Sequence, residues 1–150
     1  MGKRDTPTYF AVPDPDTGDM TYWYRDRRGV VQPWPPKVRG YGPTFPDFSA
    51  LPRGERDERV RDFILGTMRP WRQSIEETLD AEPDTAAARF AAFQSRCCIC
   101  GKDLTDAESK VLGIGPDCRR GVPSHVLESL AREMGRIHGQ MVPTTEGASE

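Results

Sequence analysis

The sequence predicts an α+β chain with a small amino-terminal β-meander, a helical middle, and a carboxy-terminal module organised by cysteines and closed by a last helix. Three observations carry this reading. Short aromatic and β-branched runs alternate with turn residues between Tyr9 and Gln32. Apolar residues then recur at three- and four-residue steps from Val60 to Leu79, and again from Leu127 to Met141. Between these helical patterns lie all four cysteines, within residues 97–118.

Tyr9-Phe10-Ala11-Val12 reads as the first strand, followed by turn chemistry from Pro13 to Asp19. Met20-Thr21-Tyr22-Trp23-Tyr24 reads as the second strand, Arg27-Arg28-Gly29 as a turn, and Val30-Val31-Gln32 as the third strand. Alternation places Tyr22 and Tyr24 on one face and Trp23 on the other, with one set expected to be buried. Pro33-Trp34-Pro35-Pro36 enforces an extended path, and the chain to Pro52 is rich in Gly and Pro.

In the first helical stretch, Val60, Phe63, Ile64, Met68, Trp71, Ile75 and Leu79 make one apolar series. Pro70 is expected to kink that helix or start a second one, with Arg69 biased away from helix. Asp84 or Thr85 should cap a short helix from Ala86 to Gln94, with Phe90 and Phe93 on one side. Pro123-Ser124 opens the last helix. Its stripe of Leu127, Leu130, Met134, Ile137 and Met141 should pack against the rest of the domain rather than a second copy. The chain thus divides into 1–52, 53–96, 97–141 and a polar tail, 142–150, expected to be disordered.

Of the 150 residues, 36% are hydrophobic, and there are 14 Gly and 14 Pro, so the core is modest and a bound metal would reinforce it. A formal net charge of −2 excludes a global basic field. The amino terminus lacks the apolar run of an export signal, and no run can span a bilayer. Met1 to Thr6 fits the short myristoylation pattern, which chance accounts for. Clustered cysteines without an export signal imply a reducing, cytoplasmic setting and metal rather than disulfides.

Cys97 and Cys100, followed at once by Gly101, have the form of a zinc knuckle in a treble-clef-like module. Cys118 returns a third thiol after 17 residues. Zinc wants four ligands. His125, in the first turn of the last helix, takes the fourth place in this reading; Cys98, Asp106 and Asp117 are the alternatives, and His138 lies too far along its helix. A redox Cys pair would start a helix, whereas here a helix precedes it. No His-x-Glu, no Ser/His/Asp set and no phosphate-binding P-loop is present, so no enzyme is expected.

Two features suggest DNA or RNA. Val111-Leu112-Gly113-Ile114-Gly115-Pro116 matches the core of a helix-hairpin-helix turn, whose amides take a phosphate, with Lys110, Arg119 and Arg120 alongside. The competing reading is that Gly113 and Gly115 bend the chain to deliver Cys118. In the first half, Arg25, Arg27, Arg28, Lys37 and Arg39 stand against Asp26 among Tyr22, Trp23, Tyr24, Trp34 and Tyr41. Such a set can stack and neutralise a single strand, or simply form the core. The function expected is a non-enzymatic, zinc-stabilised module that binds nucleic acid or a nucleic-acid-processing complex. The alternative is an adaptor or accessory subunit of a larger assembly, docking through Pro33–Pro46 or the last helix. Oligomeric state is not set by the sequence.

The run Cys97-Cys98-Ile99-Cys100-Gly101-Lys102-Asp103-Leu104-Thr105-Asp106-Ala107-Glu108-Ser109, then Gly113 to Cys118, resembles a family of uncharacterised, zinc-ribbon-like domains of actinobacterial and phage proteins. Some of these sit beside helicase-type domains. Ala107 replaces that family's usual Pro. The resemblance covers about 22 of 150 residues and implies metal binding in a nucleic-acid context, without an activity.

Overall fold

The computed structural model describes residues 6–36 and 40–141. Three antiparallel strands, β1 (Tyr9–Pro13), β2 (Met20–Arg25) and β3 (Val31–Pro33), pair in the order β1-β2-β3. Side-chain carboxylates set both turns. Asp14 accepts from the N–H groups of Asp16 (2.7 Å) and Thr17, and Asp26 from those of Arg28 and Val30, each 2.9 Å. Phe10 faces Trp23 across the first pair.

Helices cover both faces of the sheet. Trp23 meets Trp71 at 6.1 Å between ring centroids, while Tyr9, Tyr22 and Trp34 surround Phe90. Trp23 is buried while Tyr22 and Tyr24 are half-buried, so one set alone is fully buried, as expected. The sheet is a middle layer, and its aromatics hold two helices rather than lying open.

Helix α1 (Arg53–Phe63), a π-helical turn (Ile64–Met68) and α2 (Arg69–Ala81) run on continuously. The expected departure of Arg69 from helix does not occur; its φ and ψ are −64° and −46°. The wide turn just before Pro70 accommodates a residue that cannot donate an N–H and whose ring crowds the preceding turn. Burial of the apolar series is confined to Trp71, Ile75 and Leu79. No residue of α1 or of the π turn is buried, and Ile64 and Leu65 are exposed. Arginines and acids alternate around α1, leaving it without an apolar face to bury.

Helix α3 (Pro83–Gln94) starts on Pro83 with no side-chain cap. Asp84 and Thr85 instead bond to Ser129 and Glu133 on the last helix. Ala86, Ala87, Ala88, Phe90 and Ala91 are buried, and these small residues let α3 approach β1 and the last helix closely. Phe93, expected beside Phe90, is 42% exposed. Short helices α4 (Ala107–Leu112) and α5 (Pro116–Arg119) follow, then α6 (Ser124–Met141). Leu130, Met134 and Ile137 of α6 are buried and Leu127 is half-buried. Buried residues of the sheet, α2, α3, the cysteine segment and α6 form one core. The expectations for Met1 to Asp5, Lys37, Arg39, the Met141 side chain and the tail lie outside the described residues. No described helix is long and apolar enough to cross a membrane.

Phe90 is fully buried where sheet and α3 meet, so Phe90→Ala should cost about 3–5 kcal/mol in urea denaturation. Arg59→Ala on exposed α1 should stay within about 0.5 kcal/mol.

Candidate metal centre

The chain leaves α3 through Ser95, which takes a left-handed conformation at φ 53°. It then folds into a tight hairpin. Leu104 N–H donates to the Ser95 carbonyl (2.9 Å), Cys97 N–H to that of Lys102 (2.8 Å), and Gly101 N–H to that of Cys97 (2.8 Å). Gly101 closes the turn at φ 81°, and a Cβ there would sit 2.8 Å from the Tyr9 ring. This turn sets Cys97 and Cys100 beside each other.

The third thiol arrives on α4 and α5. Asp106 caps α4, its carboxylate accepting from Ser109 N–H at 3.0 Å, so this candidate donor is a helix cap. Gly113 ends α4 at φ 77°, donates to the Ser109 carbonyl at 2.7 Å, and accepts from Cys98 N–H at 3.2 Å. Gly115 then opens α5, which carries Cys118. The metal-binding atoms of Cys97, Cys100 and Cys118 lie within 4.8 Å of one another. They line a cleft of about 160 Å³ together with Lys102, Asp103, Pro116 and Asp117.

The electrostatics suit a cation. Burial raises the Cys97 thiol, but N–H groups of Gly115, Cys100 and Ile99 aimed at its sulfur outweigh this and hold it below the usual thiol value. Burial and repulsion from Cys97 push Cys118 up to about 12. Three thiolates this close would repel one another, and a cation among them would relieve that repulsion. Cys98 is 1% exposed and, held neutral by burial, stands outside the cluster.

His125 does not join the three sulfurs. Val122 is buried beneath the preceding turn, and His125 lies exposed at the start of α6 while Leu130 and Met134 face inward. His138 sits near the far end of the same helix, half-buried. Among the described residues the cluster has three donors.

The candidate nucleic-acid contacts separate. Gly113 is buried against Ala91 and Met134, and the Gly115 amide points at Cys97, so neither N–H is offered outward. Arg119 bonds to Ser109 Oγ (3.2 Å) and the Ile114 carbonyl (3.0 Å), with Glu108 at 3.8 Å, clamping α4 to α5. Lys110 and Arg120 are exposed. Arg25 bonds to the Gly29 carbonyl and lies 3.7 Å from Asp80; Arg28 lies 3.9 Å from Asp26. Arg27 is exposed beside Tyr24 in a second cleft. Reading the sequence missed Lys102 and Asp103 as walls of the metal cleft. Their place directly after the Gly101 turn was the available pointer.

Residues 87–123 match a family of unknown function (DUF6011). The matched stretch runs from the middle of α3 through all three clustered thiols to the turn before α6. No curated protein and no solved structure matches the chain.

Gly113→Ala should destabilise the protein by about 1–3 kcal/mol, because φ 77° and contacts at 3.0 Å both oppose a methyl group. Gly115→Ala, at φ −70° with its nearest neighbour at 4.0 Å, should be close to neutral in the same thermal melts.

Proposed function

We propose that the chain is a non-enzymatic binding module stapled by one structural zinc ion, and that it serves as an adaptor for a protein partner. The observation that carries the zinc reading is the convergence of three sulfurs within 4.8 Å. An all-thiolate donor set selects soft or borderline cations, and zinc fits it with no redox requirement. The adaptor reading rests on α1, none of whose residues is fully buried, and on the exposed Ile64 and Leu65 at its end. Nucleic-acid binding is the second reading. It retains the Tyr24, Arg25 and Arg27 cleft, while the amides of the Gly-Ile-Gly turn and most of the aromatics serve the fold.

Protein purified without a chelatable tag should contain about one zinc per chain. Cys100→Ser should lose it and melt at lower temperature, as chelator-treated protein should. A zinc ratio near zero would remove the reading. Crosslinking with mass spectrometry in native lysate should recover partner peptides joined near residues 53–68, and Leu65→Glu should abolish them. A salt-dependent mobility shift with DNA or RNA, lost on Arg27→Ala, would favour the second reading instead.

A further inference from the structure

We infer that the metal centre keeps one coordination position for a thiol from outside the chain. This rests on the zinc reading above. The chain holds four cysteines and two histidines. Three thiols converge, the fourth is buried away from them, and neither histidine joins them. Asp106 is bound as a helix cap, Asp103 lies 3.5 Å from Arg96, and Asp117, though on the cleft wall, stands outside the sulfur cluster. The sulfurs instead open on a cleft of about 160 Å³, large enough for a small side chain or ligand head. Structural zinc sites close with four protein ligands, and sites with three accept a fourth from elsewhere.

The donor set decides which class. Three thiolates on a divalent ion leave a net charge of −1, which weakens its pull on water and favours a soft donor over an oxygen one. Lys102 on the cleft wall stands against Asp103, which Arg96 pairs, and the exposed Asp117, so the softness of the donor rather than the charge of the wall favours sulfur. The incoming thiol binds through sulfur and passes its S–H proton to solvent. A solvent molecule leaves the position, and no electrons change hands.

Cobalt(II) replacing zinc in the full chain tests this, with 2-mercaptoethanol as the probe. The sulfur-to-cobalt charge-transfer absorption should rise by about one third on saturation, as three sulfur donors become four, with cobalt still in the protein fraction after gel filtration. His125→Ala and Asp117→Asn should leave the probe-free spectrum unchanged. Both residues are exposed, so these variants should fold. One cobalt per chain with a spectrum indifferent to the thiol would overturn the inference while sparing the metal site. So would a spectrum shifted by either variant, since the chain would then fill its own fourth place. Failure to retain any cobalt would overturn the metal reading and this inference together.

Discussion

The backbone of Cys98 joins three parts of the molecule. Its carbonyl accepts from the N–H groups of Thr8 (2.8 Å) and Tyr9 (2.9 Å) at the head of β1, and its N–H donates to Gly113 at the end of α4. Its neighbours Cys97 and Cys100 carry two of the clustered thiols. The sheet, the hairpin and the helix pair that brings Cys118 are therefore registered on one buried residue. A side chain at Cys98 must be small and tolerate complete burial, which a neutral thiol does. The same residue fixes Tyr9 against Gly101, so the aromatic layer under α3 begins where the hairpin ends.

Much of this was legible in the sequence. The strands differ from expectation by a residue at most of their ends, because alternation and turn residues agreed locally. The three thiols stood out because a Cys pair with Gly101 after it admits few geometries. What escaped was tertiary. Val60 and Ile64 carry a helical apolar period equal to that of Ile75 and Leu79, and the period alone does not say which half meets the sheet; the arginines and acids around α1 were the local sign that its half faces solvent. The Gly-Ile-Gly turn was ambiguous for the same reason. Its amides suit a phosphate or a thiolate equally, and the choice is made by Cys97, distant in sequence and near in space. His125 failed as a cluster member because the turn before α6 is anchored by Val122, a packing fact with no motif of its own.

The chemistry and the fold constrain each other at the sulfurs. Amide groups aimed at Cys97 stabilise one thiolate, but Cys118 then resists losing its proton beside it. A cation bound there would resolve this conflict and turn the repulsion of three thiolates into attachment between the hairpin and α5. The hairpin is tied to β1 through Cys98, and β1 lies against α3, whose far side carries α6. Were an ion held there, its loss would be felt beyond the matched residues 87–123, because buried residues of the cysteine segment share one core with the sheet, α3 and α6.

The same chain of contacts explains how a modest core can carry an unburied helix. Trp71 anchors α2 to the sheet, with its indole N–H 3.2 Å from the Asp14 carboxylate and its ring against Trp23. Asp14 in turn shapes the β1–β2 turn. Arg72, one residue on, lies over Trp23 at 4.8 Å and bonds to the Val31 carbonyl on β3. The continuous rod is held at its α2 end by these aromatic and polar contacts, so α1 extends from a fixed base with no fully buried residue of its own, only half-buried ones such as Phe63 against Phe45. Helices that bury little are marginal in isolation, since propensity alone rarely offsets the entropy of ordering them. Continuity through the π turn into an anchored helix supplies the nucleus that α1 lacks. The direction in which α1 presents Ile64 and Leu65 is thereby set by the sheet, and the sheet is registered on the cysteine hairpin.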